Sequence, residues 1–428
     1  MRAMATNLVH DMSTQPVAVS DRASFKLVLL SALYAAQGLP YGFFTLAFPV
    51  VLREAGLSLI AIGATSLLYL PWTLKFLWAP YLDAVRNRRA WLLALQVSGI
   101  VGALVLSQLP IEASYVPIAV AIFAFSFIAA SQDVLTDGLA VRTLDSRERG
   151  LGNGVQVGAY RIGMILGGGL LLFIFARTSW STMFVCMAVL LAITTVPVLL
   201  YRSPKQEPRA DMPARKLPLE WLRRLLMPGM LGFVLLIFCF RFGDAMISTL
   251  LGLFLKDRQV STETIALMKG TVGSATSLLG ALLGGIFTFK VGRRFAVLAT
   301  GLGQALSFVP YWISALGVGG IGLLWFATVV EGIVGTMATV ALFTLMMDAS
   351  DPEHAGTDYT VLASVYVLVS SAGQLAGSAI AQFFGYVTTF GIGIALTLAG
   401  TLALVFALDR RPMPARVAEV WKTPVRAA

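Results

Sequence analysis

Apolar residues in this chain come in long runs rather than in alternation with polar ones, and short charged loops part the runs. A run of about 20 residues crosses a hydrocarbon core of roughly 30 Å as a helix. Lipid offers the backbone no hydrogen-bond partner, so only helices and closed barrels span it. The pattern predicts an all-α polytopic membrane protein of twelve transmembrane helices in two bundles of six. The first six are expected at Lys26–Val51, Leu57–Leu82, Ala90–Leu109, Tyr115–Val141, Leu151–Ala176 and Trp180–Tyr201. The second six are expected at Met227–Leu255, Ile265–Val291, Phe295–Leu316, Ile321–Met346, Tyr359–Phe384 and Val387–Leu408. Arg202–Arg224 is the only long polar stretch inside the chain; Pro204, Pro208, Pro213 and Pro218 mark it as a flexible linker. Its end, Leu219–Leu226, is expected as a short amphipathic helix on the membrane surface. The chain thus divides into an N-terminal tail (1–25), a bundle (26–201), a linker (202–226), a second bundle (227–408) and a C-terminal tail (409–428).

Composition and charge sharpen this picture. Hydrophobic residues make up 57% of the chain and charged ones 13%, a balance foreign to soluble domains. Most of the 32 Lys and Arg gather in the tails and the even-numbered loops. Positive charge collects on the cytoplasmic side, so both termini are expected there. The net charge of +10 then calls for no nucleic-acid partner. Met1–Arg22 lacks an apolar core, so no cleavable signal is expected. Cys186 and Cys239 fall within spans, and His10 and His354 in polar segments. Neither a disulfide, a metal site nor a cofactor is expected. With no histidine inside a span there is no nucleophile–base pair at matching depth, which argues against an embedded enzyme. Gly150-Leu-Gly152-Asn-Gly154 imitates a nucleotide loop, but no strand precedes it.

Ionisable residues inside the spans are the candidates for function, because each is costly at bilayer depth. Asp133 and Asp137 are four apart and share a helix face. Asp133 lies ~14 Å from the cytoplasmic end of its span and Arg161 ~15 Å from its own, depths that permit an ion pair. Asp137 also lies near enough to the inner surface to pair with Arg86 or Arg89. A second group is Arg241 and Asp244 with Glu331; Arg241 lies ~21 Å and Glu331 about 23 Å from the cytoplasmic end. Glu331 with either partner is expected to couple protons, since an arginine that moves switches a carboxylate's protonation. Lys75 is expected to snorkel toward the inner interface. Tyr34, Gln37, Tyr41, Phe43 and Phe44 surround Gly38-Leu-Pro40 in the first span. They read either as an aromatic wall for a ring-bearing solute or as packing. Tyr34, Gln37, Tyr41 and Arg241 are the substrate-binding candidates, and Gln304, Gln374 and Gln382 add polar interior positions.

Two loops echo one another. The first reads Ala79-Pro-Tyr-Leu-Asp83-Ala-Val-Arg86-Asn-Arg88-Arg89, the second Gly285-Ile-Phe-Thr-Phe289-Lys290-Val-Gly292-Arg293-Arg294. Glycine pairs spaced four apart, Gly154/Gly158, Gly280/Gly284 and Gly373/Gly377, permit close helix approach. The loops resemble the signature of the major facilitator superfamily, in which Gly, Asp and a basic cluster tie cytoplasmic helix ends together. Ala79 and Phe289 depart from it. The resemblance implies two halves related by an axis along the membrane normal. It also implies that spans 5, 8 and 11, with 2, join the halves while 1, 4, 7 and 10 line a cavity.

At Gly38-Leu-Pro40, Lys75-Phe-Leu-Trp-Ala-Pro80, Arg88-Arg-Ala-Trp-Leu-Leu93, Gln132-Asp133 with Asp137, and Tyr160-Arg161-Ile-Gly163, the chain resembles the AmpG-like branch of that superfamily. That branch includes muropeptide permeases and acetyl-CoA transporters. Gln37-Gly-Leu-Pro-Tyr-Gly-Phe-Phe44 and Asp351-Pro-Glu-His-Ala-Gly-Thr-Asp358 resemble siderophore permeases of the RhtX/FptX type. The resemblance implies a monomeric, alternating-access transporter of the inner membrane that imports a ferric siderophore by proton symport. The alternative it leaves open is a muropeptide permease or another small-solute or drug facilitator.

Overall fold

The computed structural model describes residues 23–54, 65–109, 115–202, 214–411 and 413–422. In the first half, α1 (Ala23–Gly42) runs on through a π-helical turn, Phe43–Ala47, into Phe48–Glu54. α2 is a broken run of short pieces, Thr65–Tyr69, Leu70–Leu74, Lys75–Leu77 and Ala79–Asp83. Pro71 and Pro80 each sit at the start of a new piece, where a residue without an N–H is tolerated. The continuous span expected over Leu57–Leu82 is therefore not seen, and its first part, 57–64, lies outside the described residues. α3 (Arg88–Gln108), α4 (Tyr115–Thr143), α5 (Arg149–Ile165, continuing to Arg177) and α6 (Trp180–Leu200) complete the half.

The second half holds α7 (Met230–Ser248, then Leu251–Asp257), α8 (Gly273–Val291, preceded by a π-helical turn, Ala266–Val272) and α9 (Arg293–Ser307, then Val309–Ala315). α10 (Ile321–Ala349) is followed by one long helical stretch, Ala355–Arg410. Gly385 interrupts that stretch at φ 76° and ψ 171°, a conformation open to glycine, and divides it into α11 (355–384) and α12 (386–410). Among the described residues ten helices are long and apolar enough to cross a membrane, the last of them being this divided pair. With the broken α2, the architecture is consistent with twelve.

Glycine lets helices touch within each half. A Cβ on Gly38 would strike the backbone of Tyr160 and Gly163, and one on Gly167 the backbone of Leu39, so α1 and α5 lie backbone to backbone. In the second half Gly373 and Gly377 bring α11 equally close to α7 at Phe242 and Met246. Gly280 and Gly284 face Ile333 and Met337 of α10. Of the three glycine pairs expected to join the halves, only Gly154/Gly158 does so, against Ala281 and Gly285 of α8. The halves meet through α5 with α8 and α10, and through α11 with α2 and α4.

The core tells where they meet. One buried apolar cluster runs through both halves, joining Tyr34, Ala140 and Leu144 to Met346, Met347 and Tyr359. Two others each stay within one half: Phe43, Phe44, Trp180 and Phe184 in the first, Phe254, Tyr311 and Phe390 in the second. Side chains of both terminal segments, Lys26 and Arg416, bond into the loops at the joined end. The molecule is thus sewn together on its terminal face.

Candidate functional site

Three polar constellations sit on this frame. The first lies inside the N-terminal half. Lys75, on the broken α2, is buried and forms an ion pair with Asp133; Asp137 stands 3.9 Å away. The Tyr34 hydroxyl donates to Asp137 at 2.9 Å, and Gln156 Nε2 reaches the same oxygen at 3.4 Å. Tyr359 of α11 donates to Gln156 Oε1 at 3.3 Å, tying the cluster to the other half. Two carboxylates thus share one lysine. Lys75 does not snorkel: the break in α2 turns it inward, where a buried ammonium requires a counter-charge. Asp137 pairs with neither Arg161, Arg86 nor Arg89. Arg161 points away, to Ser277 Oγ of α8 at 3.4 Å.

The second constellation is in the C-terminal half. Arg241 forms an ion pair with Asp244 one turn on, donates from Nε to Ser370 at 3.0 Å and lies 4.8 Å above the Tyr366 ring. Gln304 donates to Asp244 at 2.8 Å, and these residues line a small cavity with Thr339 and Gly335. Glu331 is not part of it. Its partner is Lys269, at 3.5 Å, in the π-helical turn before α8. Glu331 faces the turn before α8, whereas Arg241 and Asp244 face α11 and α9.

The third constellation closes the terminal face. Asp83 accepts from Arg142 Nη2 at 2.6 Å, from the backbone N–H of Gly356 and Thr357 at 3.0 and 2.6 Å, and from the Thr357 hydroxyl at 2.6 Å. A carboxylate at the first turn of α11 meets both orphan N–H groups and the positive end of the helix dipole. Arg142 also donates to the Pro352 carbonyl at 2.7 Å. On the other side Asp348 accepts from Arg149 at 2.9 Å and from Arg293 at 2.5 Å, and Arg293 also bonds the Ser146 carbonyl. α4 and α10 are each 29 residues long, and end-to-end alignment sets Arg142 opposite Asp348. The signs are exchanged: where the first half has a loop carboxylate and a helix-end arginine, the second has a loop arginine and a helix-end carboxylate. That exchange explains why Phe289 stands where a second loop aspartate was expected.

The linker helix, Glu220–Leu225, braces this face rather than lying free on a membrane surface. Arg224 is bonded to Asp358 at 2.5–2.6 Å and to Asp351 at 3.4 Å, and Trp221 packs edge-on against Phe76 at 4.9 Å. Burial works against the Arg224 charge, but the bonds to Asp358 and Asp351 outweigh it and raise its pKa above the usual value.

Of the remaining candidates, Gln37 is buried and neither of its amide atoms has a partner among the described residues. Tyr41 packs against Trp72 and Tyr160, each at 5.6 Å. Phe43 and Phe44 belong to the buried core and form no solute wall. Arg88 bonds the Asp83 carbonyl, Arg89 caps α6 at Val198 and Leu199, Arg294 pairs with Asp409 at 2.8 Å, and Arg86 is exposed. Gln304 is interior, whereas Gln374 and Gln382 are exposed. Among the described residues no group of His, Cys, Asp and Glu is arranged to hold a metal. Sequence reasoning missed Lys269, Asp348, Arg149, Gln156 and Tyr359. Asp348 alone carried a signal, its matching place to Arg142 in the second half.

Two helical bundles of like design, joined at one face and holding ion pairs at mid-depth, define a secondary transporter of the multi-pass membrane kind, not an enzyme. The chain belongs to the Major Facilitator Superfamily, whose family model matches residues 30–373. It is 30% identical to an uncharacterised protein of Haemophilus influenzae over 86% of this chain and 91% of that one. It is 26% identical to the anhydromuropeptide permease of Escherichia coli K12, over 92% of this chain and 82% of the permease. Among solved structures it is similar to the transporter FucP in its outward conformation, with a TM-score of 0.71, 13% identity and coverage of 89% and 97%. The human organic anion transporter MFSD10 gives a TM-score of 0.70 at 16% identity, with coverage of 91% and 100%.

Proposed function

We propose that this transporter carries an anhydro-sugar peptide across the inner membrane into the cytoplasm, driven by protons. The observation that carries the reading is the likeness to the anhydromuropeptide permease over nearly the whole of both chains. It favours the muropeptide alternative over the ferric siderophore, which the comparisons do not support. The basic terminal face is assigned to the cytoplasm by its lysines and arginines. On that assignment the molecule is closed inward, and the bonds of Asp83 and Asp348 must break for the solute to pass.

Proton coupling is assigned to Lys75, Asp133 and Asp137. This cluster has one carboxylate more than it has cations, and a surplus carboxylate deep in the fold is where a transported proton is held. Tyr34 and Gln156 hold Asp137, and Tyr359 links Gln156 to α11, so a change of charge is felt by both halves.

The test is uptake of labelled anhydromuropeptide in an E. coli strain lacking its own permease, with β-lactamase induction as a second readout. Accumulation is expected from the intact protein. Asp137→Asn is expected to abolish accumulation against a gradient while exchange of labelled for unlabelled solute persists. Growth on ferric siderophores as sole iron source, with no muropeptide uptake, overturns the substrate assignment.

A further inference from the structure

The cations at mid-depth are not alike. Lys75 is paired with Asp133, Arg241 with Asp244 and Lys269 with Glu331. Arg161 has no carboxylate within ion-pair reach among the described residues; its hydrogen bond is to the neutral hydroxyl of Ser277. It lies about 18 Å along α5 from the terminal face, at the seam where α5 meets α8. An arginine without counter-charge is costly there.

Its surroundings are those of a ligand site. Tyr41 and Tyr160 are its electrostatic neighbours, with their rings 5.6 Å apart. Trp72 stands edge-on to Tyr41, and its buried indole N–H has no partner among the described residues. One turn from Tyr41, on the same face of α1, the buried Gln37 amide is likewise unpartnered. Unpartnered donors on α1 and α2 thus stand beside the tyrosines that neighbour this cation. Counted from the first residues of α5 and α11, Tyr160 and Tyr366 occupy the same place. In the second half the arginine over that tyrosine, Arg241, is already neutralised by Asp244. Among the described residues the arginine left without a carboxylate at this place is the first half's.

We infer that Arg161 is the anchor for a carboxylate of the transported solute, held between the two halves with Tyr41, Tyr160, Trp72 and Gln37 around it. A guanidinium presents two parallel N–H donors that match a carboxylate bidentately. The inference rests on the muropeptide reading only for the identity of the solute, whose peptide portion carries carboxylates.

The experiment is calorimetric titration of the purified transporter with anhydromuropeptide and with the same compound amidated at its carboxyls. N-acetylmuramate and its amide serve as a second pair. Wild type is expected to bind the acid ~10- to 100-fold more tightly than the amide, the range of a charge-assisted contact. In Arg161→Gln that preference is expected to collapse, because the acid loses far more affinity than the amide; Arg161→Lys is expected to keep part of it. Thermal melting shows that each variant is folded, and Arg161→Lys serves if Arg161→Gln is not. An acid preference undiminished in both variants, or no acid preference in wild type for either pair, overturns the assignment. If anhydromuropeptide does not bind but N-acetylmuramate shows an Arg161-dependent acid preference, the anchor stands and the muropeptide reading falls.

Discussion

Lys75 shows how much one side chain decides. Among the described residues it is the only cation paired with Asp133 and Asp137, and all three are buried. Lys75→Met strands two carboxylates in the interior, and breaking a buried pair from one side costs about 3–5 kcal/mol. Melting of the purified protein is expected to show that loss. Adding Asp133→Asn to the same chain is expected to restore most of the stability but not accumulation of solute. If the double variant melts as low as Lys75→Met, the pair does not hold the fold. The sequence singles out Asp133, Asp137, Arg161, Arg241, Asp244 and Glu331 as ionisable groups inside the apolar runs, and that much is legible without a structure. Their partners are not. Depth is one coordinate, and pairing also depends on the direction around the helix axis, which apolar runs leave unspecified. Glu331 and Arg161 fail for that reason. Lys75 fails for another: snorkelling presumes a continuous helix, and α2 is broken.

At the scale of elements, glycine separates two kinds of contact. Gly38 stands against the backbone of α5, which has nowhere to yield, whereas a Cβ on Gly158 would lie 3.6 Å from Ala281, an ordinary contact. Gly38→Ala is therefore expected to destabilise by about 1–3 kcal/mol or prevent folding, and Gly158→Ala to stay within ~0.5 kcal/mol of wild type. Thermal melts of the two variants side by side test this; equal effects would sink it. Helix existence is legible from the apolar runs, since lipid dictates both length and composition. Which helices touch is not, because a glycine pair announces a close approach without naming the partner. The pairs in α8 and α11 are real contacts, made within a half rather than between halves.

For the whole molecule, the terminal face is where polar bonds tie the two halves together. Asp83 holds Arg142 and the first turn of α11 together, so Asp83→Asn weakens a contact that joins the halves at this face. Cysteines placed on facing ends of α4 and α11 are expected to cross-link several-fold less in Asp83→Asn than in wild type. Unchanged cross-linking would mean that this carboxylate does not hold the gate. Exchanging the pair, Asp83→Arg with Arg142→Asp, is not expected to restore closure, because an arginine at position 83 would face the positive end of α11. The brace beside this gate has a different implication. Arg224 and Trp221 grip Asp358 and Phe76, so the linker helix adheres to both bundles by its own side chains rather than by being threaded between them. Two polypeptides, one ending near residue 208 and the other starting there, are expected to assemble into an active transporter when co-expressed, and Trp221→Ala in the second piece to impair that assembly. Covalent continuity is then a matter of synthesis rather than of architecture. A gene for such a protein can be divided at this point, and its halves can vary independently so long as each keeps its side of the brace.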